Sequence, residues 1–153
     1  DVPRENPNYG LAIRISDVKL LDKDQKSVTT LPMGMPFSVE LECRCLEDVK
    51  NVSLIVGLDS MMSAAITTVA SEEDGLFFQG NKGDTISTRV HFSELILNKG
   101  RYHIRIGVRM GKQSADWLRQ ALAFDVSDYR DSKAVDMEPS LIGLIRSPVE
   151  WQR

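Results

Sequence analysis

Nine consecutive residues, Phe37 to Cys45, place the strongest constraint on the fold. Phe37, Val39, Leu41, Cys43 and Cys45 alternate with Ser38, Glu40, Glu42 and Arg44. Side chains along a strand point to its two faces in turn, so this order describes a strand with one buried face and one solvated face. The same period recurs along the chain, whereas the period of an amphipathic helix almost never persists. The chain is therefore predicted to be all-β.

Other strands follow from the same reasoning. The first runs from about Gly10 to Leu21, with Leu11, Ile13 and Ile15 on one face. Its phase slips near Ser16 and Asp17 to Val18 and Leu20, as a bulge or a change of sheet would produce. Asp22 to Ser27 is a polar turn. Val52, Leu54, Val56 and Leu58 form another inward row, with Ser53, Ile55, Gly57 and Asp59 on the opposite side. A shorter segment around Ile66 to Val69 precedes a turn-rich excursion from Ser71 to Gly83. Then come three more rows: Ile86, Thr88, Val90 and Phe92; Tyr102, Ile104, Ile106 and Val108; and Leu122, Phe124 and Val126. Gly111 to Leu118, which carries Trp117, reads as a loop with one helical turn. About seven or eight short strands, with turns roughly every 8 to 12 residues, describe an immunoglobulin-like or jelly-roll antiparallel β-sandwich. Gly100, two residues before Tyr102 at a strand start, suits a tyrosine corner where the chain crosses between sheets.

The 153 residues, 42% of them apolar, suffice for one core but not comfortably for two. Lys and Arg total 19 against 22 Asp and Glu, a net charge of −3 that argues against a nucleic-acid partner. No apolar run approaches the roughly 18 to 20 residues of a membrane-spanning helix, so a soluble chain without direct membrane insertion is expected. Cys43 and Cys45 lie two apart on one strand face and make poor disulfide partners, which suits a reducing, cytoplasmic compartment. A start at Asp1, punctuated by Pro3 and Pro7, reads as a domain excised from a longer chain. The expected division is a leading linker over 1–9, the sandwich over 10–127, a polar linker over 128–140 and a C-terminal strand over 141–153. That apolar strand can be buried against its own sandwich or a second copy's. Exchange within a homodimer is the expectation taken forward.

Catalytic motifs are absent. The two histidines, His91 and His103, belong to no metal-protease pattern, and there is no nucleophile-elbow or C-x-x-C motif. Gly107 to Gln113 falls one residue short of a phosphate-binding loop and sits at the end of a strand. Asp22, Asp24 and Lys26 resemble a calcium loop, but Lys26 has no anionic oxygen and Ser27 stands where Gly is needed. A non-enzyme without cofactor or metal is expected.

Sheet membership of the immunoglobulin type would pair the Phe37 strand with the Ile86 strand, and group the Val52, Tyr102 and Leu122 strands in the other sheet. On the first sheet Glu40 and Glu42 would then face Arg89 and His91, an ordinary charged surface. On the second sheet Gly57, Gly107 and Ala123 would form a low strip bordered by Asp59, His103, Arg105, Arg109 and Asp125. Glycines inside strands often mark close approach of a ligand. Sugar hydroxyls take paired bonds from carboxylates and guanidinium groups, and Trp117 offers a face to the C–H side of a ring. The candidate carbohydrate-binding residues are therefore Gly57, Asp59, His103, Arg105, Gly107, Arg109, Trp117 and Asp125. The same strip equally suits strand twist or cover by a protein domain, which leaves an immunoglobulin-like protein-interaction or structural module as the alternative.

The order of motifs also resembles a known family. The A-I-x-I strand at Ala12 to Ile15, the L-x-L-x-x-G-x-Y-x-I-x-I-x-V run at Leu95 to Val108, Asp116-Trp117, A-F-D-V at Ala123 to Val126 and the closing G-L-I-R-S-P-V-E-W at Gly143 to Trp151 occur together. Together they resemble the C-terminal domain of Wzt, the nucleotide-binding subunit of ABC transporters that export O-antigen polysaccharide. The resemblance implies a cytoplasmic β-sandwich, peripheral to the inner membrane. It would be appended to an ATPase domain of the same polypeptide, paired as a homodimer, and would deliver the lipid-linked glycan to the transporter's membrane subunit. The family's glycan-binding residues form no fixed motif, so none is carried over. Asp59 to Ser63 departs from the simple hairpin expected there, and Met61 and Met62 mark a possible contact surface.

Overall fold

Alternating segments need a partner layer to bury their apolar rows, and here two antiparallel sheets provide it. The computed structural model describes residues 2–127, 143–145 and 150–152. The strands are β1 (Ile13–Leu21), β2 (Thr30–Pro32), β3 (Phe37–Cys45), β4 (Val49–Ser60), β5 (Ala65–Ala70), β6 (Phe78–Gly80), β7 (Thr85–Phe92), β8 (Gly100–Met110) and β9 (Gln113–Ser127). One sheet has the order β1-β3-β7 and the other β2-β9-β8-β4-β5, with β6 paired to β4. The core lies between them. Phe37 stacks on Phe92 at 5.1 Å between centroids and reaches Phe124 at 6.3 Å across the layers, and Phe124 stacks on Tyr102 at 5.6 Å.

Most of the expected pairing is present. Phe37, Val39, Leu41, Cys43 and Cys45 are all buried, and Glu40 sits opposite Arg89 on the solvated face with their charged groups 2.5 Å apart. His91 Nδ1 lies 2.6 Å from Ser38 Oγ. The phase slip in β1 is a bulge between Ile15 and Asp17. The tyrosine corner forms: the buried Tyr102 hydroxyl donates to the Asn98 carbonyl at 2.6 Å. Asp22 caps its own turn, its Oδ1 accepting from the amides of Asp24 and Lys26 at 2.8 and 3.0 Å.

Several expectations need correction. Leu11 does not share the buried face of Ile13 and Ile15; it precedes β1 and is exposed. β2 and β6 were not anticipated. They are three residues each, too short to show a period, and β2 leaves the first sheet to pair parallel with Thr30 opposite Asp125. The excursion after β5 holds a 3-10 turn, Ser71–Asp74. The largest miss is Gly111 to Leu118, which is not a loop. β8 and β9 form a long hairpin closing at Gly111 and Lys112, and Trp117 stands on β9 opposite Gly107. The expected linker over 128–140 and most of the expected C-terminal strand lie outside the described residues. Of that strand, Ile145 bridges Leu97 of the same chain, and the Leu144 carbonyl accepts from the Asn98 amide at 2.9 Å.

One buried ion pair closes the end of the sandwich where β1, β8 and β9 meet. Asp116 points inward opposite Val108 and is 0% exposed. Its Oδ1 and Oδ2 accept from Arg4 Nε and Nη2 at 2.7 and 2.9 Å, and Oδ2 also accepts from the Ile15 amide at 2.7 Å. Arg4 Nη2 then donates to the Ile15 carbonyl at 3.0 Å. Backbone groups that the β1 bulge takes off the sheet ladder are thus satisfied by a side-chain pair. Removing one member of a buried pair strands the other charge, so Asp116→Ala is expected to lower stability by about 3–5 kcal/mol in urea unfolding.

Both cysteines are free and buried on β3. Burial, reinforced by the Asp116 carboxylate, pushes the Cys43 thiol from 9.0 up to about 12; burial raises Cys45 and Tyr102 as well. The unfolded thiol ionises first as pH rises. The stability tied to the protonated thiol is thus fully present below pH 9 and is lost progressively toward pH 12. Cys43→Ala is expected to flatten the alkaline fall in unfolding free energy above pH 9, by up to about 1.4 kcal/mol per pH unit.

Candidate functional site

The six-stranded sheet turns one face to the core and the other outward, and its register brings most of the expected residues together on the outer face. Gly57 lies opposite Arg105 and Ile55 opposite Gly107 across β4 and β8. Asp59 lies opposite His103, which in turn faces Ala123 on β9, and Gly107 faces Trp117. Asp125 stands apart toward the end of β9, where it is exposed and 4.0 Å from Arg101.

The expected low strip is not open. A Cβ at Gly57 would come within 2.5 Å of Arg105 Cζ, and one at Gly107 within 2.7 Å of Trp117 Cε3 and Cζ3. The glycines are small because the chain's own side chains lie across them. Arg105 Cζ is also 5.6 Å from the Trp117 ring centroid, within cation–π range.

Asp59 and Arg105, expected to bond sugar hydroxyls, are committed to each other. Arg105 Nε and Nη2 donate to Asp59 Oδ2 and Oδ1, each at 3.1 Å, and Nη2 also donates to Thr68 Oγ1 at 2.9 Å. The two side chains are 14% and 8% exposed. This bidentate pair fixes the guanidinium plane, and the plane in turn holds the indole against Gly107. Asp59, Arg105, Gly57 and Gly107 therefore build a support for Trp117 rather than a row of free contacts.

Groups with solvent access surround that support. Arg109 Nη1 donates to Glu72 Oε1 at 3.1 Å, and both remain about one-third exposed. Glu72 is delivered by the 3-10 turn, which is held to β4 by bonds from the Leu54 amide to Ser71 Oγ at 3.0 Å and from the Glu72 amide to Ser53 Oγ at 3.3 Å. His103 Nδ1 is buried without a hydrogen-bond partner. Thr68 and Glu72 were missed by sequence reasoning, because a Thr on an edge strand and a Glu in an acidic turn carry no periodic signal. Among the described residues, no group of three or more His, Cys, Asp or Glu is arranged to hold a metal ion.

A three-stranded β1-β3-β7 sheet packed on a sheet with β4, β8 and β9 at its centre, joined by a tyrosine corner, defines an immunoglobulin-like β-sandwich. The model of the Wzt C-terminal domain family matches residues 10–144, and the chain belongs to that family. A crystal structure of the C-terminal domain of Wzt superposes with a TM-score of 0.72 at 12% identity, over 93% of this chain and 84% of that one. A Niemann-Pick type C2 protein from the Japanese carpenter ant is similar with a TM-score of 0.50 at 16% identity, over 76% of this chain and 92% of that one. At these identities both likenesses speak to fold. No curated protein matches the chain in sequence.

A Cβ at Gly107 meets the rigid indole, and one at Gly57 meets an Arg105 head that moves only by giving up its bonds to Asp59 and Thr68. Gly107→Ala and Gly57→Ala are each therefore expected to cost about 1–3 kcal/mol in urea unfolding, and Gly107→Ala also to shift the Trp117 fluorescence.

Proposed function

We propose that this domain recognises O-antigen polysaccharide without altering it and delivers the lipid-linked glycan to an ABC exporter. The observation that carries the reading is Trp117, held on the outer sheet face over Gly107 and beside Arg105, with Arg109 two residues further along β8 than Gly107, in a chain of the Wzt C-terminal domain family. A fixed indole plane suits the C–H face of a sugar ring, and a planar guanidinium beside it suits vicinal hydroxyls. In this reading the domain works in the cytoplasm as a homodimer, joined to an ATPase domain and through it to the transporter's membrane subunit. The contacts offered to the glycan are Trp117, Arg109, His103 and Asp125, while Gly57, Asp59, Arg105 and Gly107 hold the support.

A second reading, a protein-interaction module, is favoured by Met61 and Met62 at the β4–β5 tip, of which Met62 is 89% exposed. The two separate in one experiment. The purified domain is expected to be retained on immobilised O-polysaccharide of its source strain without ATP or metal. Arg109→Ala should weaken retention several-fold while the melting temperature moves by no more than about 2 °C, since its ion pair is exposed. Capture of a transporter protein, with no glycan retained, overturns the carbohydrate reading.

A further inference from the structure

We infer that one ring of the bound polymer lodges in a groove beside Trp117, between the N-terminal segment and a bulge of β9; this rests on the carbohydrate reading above. The groove has a volume of about 310 Å3, and its lining includes Glu5, Tyr9, Trp117, Arg119 and Gln120. That volume is at the lower end for small-molecule sites, suited to a single ring rather than a long stretch of polymer.

Both walls are built by specific bonds. On one side the Gly10 amide donates to the Ala115 carbonyl at 2.9 Å, and Tyr9 closes a turn through its amide to the Asn6 carbonyl at 3.0 Å. Arg4, five residues earlier, is fastened to Asp116. The segment carrying Glu5 and Tyr9 is thus anchored at both ends to the strand that carries Trp117. On the other side the register of the β8–β9 hairpin breaks. Ile104 pairs with Leu122 and Ile106 with Leu118, so Arg105 faces the three residues Arg119, Gln120 and Ala121. A bulge re-aims side chains, and this one sits where Arg119 and Gln120 line the groove.

The lining fits an amphiphilic ring. Tyr9 and Trp117 supply aromatic surface for its C–H face. Glu5 accepts and Arg119 and Gln120 donate toward its hydroxyls. The Arg119–Glu5 pair is 3.7 Å long and largely exposed, so hydroxyls can replace that contact at little cost, unlike the buried Arg105–Asp59 pair. The ring in the groove and a neighbouring ring over the Arg109 side then share Trp117 as a common border.

The test is calorimetric titration of the 153-residue chain with delipidated O-polysaccharide of its source strain. Tyr9→Ala and Arg119→Ala are compared with the wild type and with Arg109→Ala. Each groove variant is expected to weaken affinity about tenfold at an unchanged melting temperature. The polymer should also shift Trp117 emission in a Trp151→Phe background. Full wild-type affinity in both groove variants, with a loss in Arg109→Ala, overturns the groove and leaves the carbohydrate reading standing. No binding by the wild type overturns both. A melting temperature lowered in Tyr9→Ala would make Arg119→Ala the deciding variant, with wild-type affinity there overturning the groove.

Discussion

A carboxylate in the dry interior, Asp116, ties together parts of the chain that share no periodic pattern. Its oxygens hold the Arg4 guanidinium and the Ile15 amide, and Oδ1 also accepts from the Trp117 amide at 3.0 Å. The β1 bulge, the N-terminal segment and the outer end of the β8–β9 hairpin therefore depend on the same charge. A buried ion pair of this kind adds little net stability over an apolar filling, and its value lies in fixing one arrangement. Arg4 and Asp116 fix where the N-terminal segment crosses β9, and hence where Tyr9 stands relative to Trp117.

The outer face shows the same economy with glycine. Gly57 and Gly107 leave the space that the Arg105 head and the Trp117 ring occupy over the sheet. Arg105 is held by Asp59 and Thr68, and its guanidinium lies against the indole. In the proposed carbohydrate reading, a tryptophan held in this way loses little rotamer freedom on contact with a glycan, which favours binding through preorganisation. Arg109 and Arg119, by contrast, are in pairs with Glu72 and Glu5 that solvent reaches.

The sandwich was legible in the sequence wherever strands keep one dry and one wet face. β3, β7 and β8 largely alternate, β4 keeps its inward apolar row although Ser53, Asp59 and Ser60 on its other face are covered as well, and the slip at Ser16 and Asp17 marked a real bulge. The first half of β9 was misread for a physical reason. Asp116 occupies an inward position, and a carboxylate there looks like loop unless its partner is known. That partner, Arg4, lies 112 residues away. The ladder also slips by one residue between the Asp116 and Ser114 pairs, and three residues between Leu118 and Leu122 face Arg105 alone, which interrupts the inward row. Gly57, Asp59, His103, Arg105, Gly107 and Arg109 leave the same sheet face, as their alternation implied, but alternation says only which way a side chain leaves the strand. It does not say that Arg105 would fold back over Gly57 and become part of the support.

The tyrosine corner has a mechanical consequence. Tyr102 also donates to the Leu144 carbonyl at 3.4 Å, and Asn98 grips Gly143 and Leu144, so the returning tail is hitched to the start of β8. The leading segment is hitched through Arg4 near the level of Val108, six residues further along the same strand and about 20 Å away at the rise of extended chain. A pull applied at these two anchored segments would run lengthwise through the central hairpin, beneath the tryptophan. Stretched strands of this kind resist as rows of bonds sheared together rather than unzipped one by one. The outer face that carries Trp117 thereby lies along the line between the two hitches.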